Sequence, residues 1–213
     1  MLIPHVDVGR RAFLGLTAAL LTAGPLARPA DAISATTMTG KTRPDLSLIL
    51  ADAARAEGGT VVADLVVSGG SVATVAFDSK WKLAEGGYYD VEANSREGDA
   101  AYLQRVKLPP GKDLTTLPAK FFSSAVLQAE GRYGAYGAPV DAKVLGDVNA
   151  GGRRNVDISF SALSPGSAES QRKAVVSAVQ PPGSSDLILL VVSTSTVRWK
   201  KSGGEEAARA TAR

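Results

Sequence analysis

Between Val140 and Val197 four β-rich runs follow one another, separated by residues that favour turns, and nothing else in the chain constrains the fold so strongly. The runs 140–148 and 155–162 flank Asn149-Ala150-Gly151-Gly152, where two glycines supply the backbone angles of a tight connection. The runs 171–179 and 187–197 flank Pro181-Pro182-Gly183-Ser184-Ser185, a second turn. Between the two pairs lies a polar Ser/Gly/Pro loop over 162–170. Val156, Ile158 and Phe160 alternate onto one face, as in a strand with one side in a core. Leu187 to Val192 is apolar without a break, as expected of a central strand covered on both sides.

The same β character starts at Thr60. Runs 60–67 and 71–77 are parted by Ser68-Gly69-Gly70, and short strands are predicted over 80–83, 87–91 and 100–106, before Pro109-Pro110-Gly111 closes the block. Two segments read as helices on this sheet. Over 117–130, Leu117, Phe121 and Ala125 stack at i, i+4 beside Phe122 and Val126, with Thr116 as the expected cap and Pro118 in the first turn. The second begins at Glu205. Upstream, Leu46, Ile49, Leu50 and Ala53 predict a short helix over 45–57 that stops at Gly58-Gly59, although Leu46, Leu48 and Leu50 also alternate as in a strand. Helices on a mostly antiparallel sheet make an α+β protein, with the sheet sandwiched between helices in an α/β/α order.

Composition narrows the chemistry. The 213 residues contain no cysteine and a single histidine, His5, with 21% charged residues and a formal net charge of +3. Disulfides, thiolate nucleophiles and sulfur-ligated metals are excluded. The small charge gives no reason to expect a nucleic-acid partner.

His5 precedes a segment with the order of an export signal. The pair Arg10-Arg11 leads into an apolar run, Ala12 to Leu21, broken by Gly24-Pro25 and closed by Ala30-Asp31-Ala32, an A-x-A cleavage pattern. That run is about half of the ~20 residues that span a bilayer. Gly9 to Leu14 resembles the twin-arginine consensus, an address for proteins that cross a membrane folded. The chain thus divides into a signal over 1–32, an arm and short helix over 33–59, and a main domain over 60–213. Cleavage after Ala32 leaves no histidine, so imidazole acid/base work and a His-ligated metal are also excluded.

The second half carries a family resemblance. A helix, then Gly131-Arg132-Tyr133-Gly134-Ala135-Tyr136-Gly137, then a long meander ending in Val197-Arg198-Trp199-Lys200-Lys201 and a closing helix, resembles the PsbP family. In that family an Arg-Trp pair ends the last strand just before the final helix, and Arg198-Trp199 holds that place; Phe77 with Trp81 is similar to an early strand-and-Trp pattern. The resemblance implies an α/β/α sandwich without catalytic activity, extrinsic to a photosynthetic complex in the chloroplast thylakoid lumen, or in a bacterial periplasm if the source is prokaryotic. It implies peripheral docking on photosystem II, in oxygen-evolving complex stabilisation or photosystem assembly, with photosystem I or the NADH-dehydrogenase-like complex as other members' partners. The expected protein is a monomer, not an enzyme, with no cofactor of its own; calcium enters only through the family.

Candidate binding residues follow from charge. Arg153 and Arg154 beside one turn, with Arg198, Lys200 and Lys201 near the end of the last strand, are expected to form a basic patch for an acidic partner, with Trp199 either a desolvated anchor or a core side chain. The loop 131–137 reads as a helix stop with packed tyrosines or as a ligand loop. Asp90, Glu92, Glu97 and Asp99 cluster around a turn and offer oxygen ligands for calcium, without the spacing of an EF-hand. The alternative function is an exported carrier of a small ligand, lipid or pigment, using a groove between helix 117–130 and the sheet.

Overall fold

The computed structural model describes residues 48–85, 88–129, 131–164, 168–201 and 204–212. The signal over 1–32 and the polar arm over 34–44 lie outside the described residues. The main element is a seven-stranded antiparallel sheet in the order β5-β6-β7-β11-β10-β9-β8, built from β5 (Lys82–Leu83), β6 (Glu92–Asn94), β7 (Ala100–Lys107), β8 (Val140–Ala150), β9 (Arg153–Leu163), β10 (Glu169–Val179) and β11 (Asp186–Ser195). Ahead of it, β1 (Ile49–Leu50), β2 (Arg55–Glu57), β3 (Thr60–Val66) and β4 (Val72–Asp78) form a small second sheet. Among the described residues the helices are α1 (Ala119–Val126), α2 (Thr196–Lys201) and α3 (Gly204–Thr211).

Strand alternation divides the core in two. From β9, Val156, Ile158 and Phe160 join Ala174 and Val176 of β10, Leu187, Leu189 and Val191 of β11, and Phe122 and Val126 of α1. On the opposite face, Ile188, Leu190 and Val192 of β11 meet Val61, Ala63 and Leu65 of β3, Phe77 of β4, Trp199 of α2 and Ala208 of α3. β11 is therefore buried on both sides from Leu187 to Val192, as its unbroken apolar run predicts. Each such Leu, Ile or Val contributes roughly 1.5–3 kcal/mol of burial. The sheet does lie between helices, but α2 and α3 share their face with the small β1–β4 sheet.

Several local readings change. The segment 45–57 is not a helix where it is described: Ile49 and Leu50 pair with Val66 and Leu65, and Arg55–Glu57 pairs with Thr60–Val62. Gly58 and Gly59, at φ 59° and 92°, are the two-residue turn of a hairpin rather than a helix stop. A domain boundary between 59 and 60 thus falls inside a hairpin. The strand expected at 87–91 is absent over the described 88–91, because the chain there bends to aim the N–H groups of Tyr88 and Tyr89 at the buried Glu92 carboxylate.

Helix α1 is shorter than the sequence pattern. Pro118 is its extended N-cap, and Thr116 caps nothing: its N–H and that of Thr115 are taken by the Asp113 carboxylate. The last strand stops at Ser195, so Arg198-Trp199 sits in the helical turn of α2 rather than at a strand end. The glycine pairs at 69–70 and 151–152 take positive φ at their turns, as predicted.

Candidate functional site

The expected basic patch is split by the geometry of β9. Arg153 and Arg154 are neighbours on a strand, so their side chains leave opposite faces of the sheet. Arg154 turns toward α1 and is buried. Its Nε and Nη2 donate to the two Asp147 carboxylate oxygens at 2.8 and 2.7 Å, its Nη1 donates to the carbonyls of Leu114 (3.1 Å) and Leu117, and the guanidinium lies over the Phe122 ring at 5.1 Å. Nη1 holds the approach to α1 against the sheet while Nε and Nη2 tie β9 to β8, and the Arg154 hydrogen bonds, aided by its charge, hold the Asp147 carboxyl below its usual range. Arg153 faces α3, where its Nη1 reaches the Ala212 carbonyl at 3.4 Å and partial burial lowers the guanidinium pKa.

The other four candidates lie at the far end of the sheet. Arg153 is opposite Val179 and Arg172 is opposite both Phe160 and Ser195, so seven strand residues, roughly 24 Å, part Arg153 from the start of α2. There the helical turn points Trp199 inward, 5% exposed, with its Nε1 donating to Glu205 at 2.9 Å and with Lys173 and Arg209 over its ring at 5.6 and 5.9 Å. Trp199 is a core side chain. Arg209 also bridges Asp157 (2.8 Å) and Glu205 (3.0 Å), tying α3 to β9.

Arg198 is likewise committed. Its Nε and Nη2 grip the Asp99 carboxylate at 2.7–3.0 Å, and Nη2 donates to the Glu97 carbonyl at 2.7 Å. This clamp fastens the β6–β7 turn to α2. It also brings Arg96, exposed on that turn, to the end of the molecule where Lys200 and Lys201 are exposed. Among the described residues, Arg96, Lys200 and Lys201 have no ion-pair partner, while Glu97 is the exposed acid on the same turn. Arg96, Lys200 and Lys201 are therefore surface cations of this end, beside the exposed Lys82 opposite Asn94, whereas Arg153, Arg154, Arg198 and Trp199 are built into the fold. Arg96 was missed because only the Arg198 clamp, made across 99 residues, joins its turn to α2.

The four acids at 90–99 do not converge. Glu92, 1% exposed, accepts from the N–H groups of Tyr88 (2.9 Å) and Tyr89 (3.3 Å), from Asn94 and from Arg132. Asp90 accepts from the N–H of Leu48 at 3.0 Å, Asp99 is held by Arg198, and Glu97 points to solvent. Among the described residues no three metal-ligating side chains come together.

The 131–137 loop is a packed series of turns. Tyr133 is buried against Phe160 at 4.7 Å, with its hydroxyl on Ser193, and Tyr136 is exposed. A side chain at position 134 would strike the Ala129 carbonyl, so this glycine is a close-approach position. Beside the loop Tyr89 stacks on Tyr102 at 4.1 Å, and burial pushes both phenols well above their ordinary pKa.

With this geometry in view, comparison with known proteins adds a structural likeness. No protein-family model matches the chain, and no curated protein matches it. Among solved structures, it is similar to the solution structure of cyanobacterial PsbP from Synechocystis sp. PCC 6803. That match covers 88% of this chain and 98% of that one, at 18% identity and a TM-score of 0.37.

Among the described residues, side chains fill the space under α1 where a ligand groove was expected. Phe122, Ala125 and Val126 fill that space against Tyr102, Val156 and Leu189. A shallow cleft does open on the other face, between β4, β10, β11 and the end of α3. It is lined by Phe77, Leu103, Arg153, Ile188, Thr211 and Ala212. Its apolar walls are already buried by one another, which leaves little surface for a ligand.

Proposed function

We propose that this chain is a non-catalytic PsbP-like protein of the thylakoid lumen that docks peripherally on photosystem II, in stabilising or assembling that complex. The observation that carries this reading is the end of the sheet at α2. Arg198 and Trp199 fix the turn and the helix, and Arg96, Lys200 and Lys201 are exposed on them with no ion-pair partner among the described residues. Cations on a rigid support suit an acidic protein surface, where they steer encounter and set orientation. The twin-arginine pattern and the order of motifs from 131 to 201 support the same reading.

Fractionation of thylakoid membranes on native gels, with and without a high-salt wash, tests it. The expected result is co-migration with photosystem II that salt releases. Replacing Arg96, Lys200 and Lys201 together by alanine is expected to weaken docking about tenfold at low salt, taking roughly 0.5 kcal/mol for each exposed charge. Co-migration with photosystem I or the NADH-dehydrogenase-like complex would move the role to that complex. A protein found only free, carrying a mass-detectable ligand, would replace docking by the carrier reading.

A further inference from the structure

Arg153 is a half-buried cation without a counter-ion. Arg153, Val179 and Ile188 stand abreast on β9, β10 and β11, and Ser177 precedes Val179 on the same face, opposite Leu190. Phe77 of β4 and, at the end of α3, Thr211 and Ala212 complete the cleft over this row. Among the described residues no carboxylate pairs with Arg153, and its one hydrogen bond, to the Ala212 carbonyl, is long at 3.4 Å. The C-terminal end of a helix offers such a cation only partial negative charge. Burial lowers the guanidinium pKa, and no opposite charge raises it. Holding a partly desolvated charge unpaired costs free energy that a bound anion recovers.

Two neutral groups beside it are also unsatisfied. The hydroxyls of Ser177 and Thr211 have no hydrogen-bond partner among the described residues, and neither oxygen is sealed from solvent. One guanidinium and two hydroxyls thus line a cleft whose other lining side chains are aliphatic or aromatic. Apolar walls with a few unsatisfied polar groups are the composition of a small-ligand site.

We infer that this cleft binds a small amphipathic monocarboxylate. Its carboxylate accepts from Arg153 and from the hydroxyls of Ser177 and Thr211, and a short alkyl tail lies against Phe77 and Ile188. Three features select this class. The cleft has too little free apolar surface for a lipid or a pigment, so the tail is a few carbons long. A single guanidinium matches a single negative charge, and its planar fork donates two parallel hydrogen bonds to a carboxylate. A phosphate or sulfate dianion brings a second, strongly hydrated charge against apolar walls, with no second cation in the lining to meet it.

Nuclear magnetic resonance titration of the isotope-labelled chain with butyrate tests this. Saturable shifts are expected at the amides of Arg153, Ser177, Thr211 and Ala212, with a millimolar Kd for so small a ligand. Acetate is expected to bind roughly fourfold more weakly, for two methylenes about half buried. Sulfate and butanol at the same concentration are expected to leave these amides unmoved. Arg153→Met should weaken butyrate at least about tenfold and still fold, because it removes a charge that no carboxylate pairs. Ser177→Ala is the milder variant and should weaken butyrate about threefold. Circular dichroism of each variant checks that the fold persists. No shift up to about 100 mM butyrate, equal shifts with sulfate or butanol, acetate bound as tightly as butyrate, or wild-type affinity in the folded variants overturns the inference.

Discussion

Glu92 is the most deeply buried acid in the described structure, and its removal tests the reading that it organises the tyrosine loop rather than a metal or a reaction. Glu92→Ala removes the carboxylate that accepts from the buried N–H of Tyr89 and the half-buried N–H of Tyr88, at about 1 kcal/mol each. It also strips Arg132 of its counter-ion. Breaking a buried pair costs about 3–5 kcal/mol, but the Arg132 side chain is 20% exposed and recovers some hydration, so about 2 kcal/mol is the better figure. The expected loss is therefore about 3–4 kcal/mol, a large share of the roughly 5–15 kcal/mol that holds a domain together. Urea titration should show it as a lower midpoint with little change of slope, and calorimetry as a fall in Tm of roughly 6–16 °C. Glu92→Gln keeps an acceptor for the two N–H groups and loses only the charge, so about half the loss is expected. A cycle with Arg132→Met should give a coupling of about 1–3 kcal/mol. Glu92→Ala within about 0.5 kcal/mol of wild type, or no coupling in the cycle, would refute the reasoning.

Two further outcomes follow from the same geometry. Arg154→Met should destabilise the fold by about 2–4 kcal/mol in urea titration, because Asp147 and the Leu114 and Leu117 carbonyls lose their donor, yet leave salt-releasable docking unchanged in the folded fraction. Tyr89 and Tyr102, held neutral by burial, ionise in the unfolded chain near pH 10, so stability is intact below that pH and falls as pH rises above it. Tyr102→Phe should flatten that alkaline slope, and ultraviolet titration of the native protein should show these phenols ionising only as the protein unfolds.

The elements legible in the sequence were those whose pattern is enforced by burial on one or both sides. The β9, β10 and β11 runs, the hairpin glycines and the α1 stripe obey local rules of period and turn chemistry, and no distant residue had to be known to place them. The 45–57 segment misled because its apolar spacing serves both a helix and a strand. The choice fell to β3, whose free edge offers backbone partners that a helix would not use.

The candidate site shows the same division more sharply. Sequence alone placed six residues in one patch because they share a charge or adjoin one another. Strand alternation sent Arg153 and Arg154 to opposite faces, and the length of the sheet separated both from α2. Whether a cation is free or spent depends on which carboxylate or carbonyl lies within about 3 Å, and those partners come from Asp147, Leu114 and Leu117 for Arg154 and from Asp99 for Arg198. Local chemistry determined that this chain would form an antiparallel sheet with helices upon it, without cysteine or imidazole chemistry in its main domain. Long-range packing alone decided which charges reach solvent, because ion pairs across a sheet are set by register and topology, which the order of residues encodes only through the completed fold.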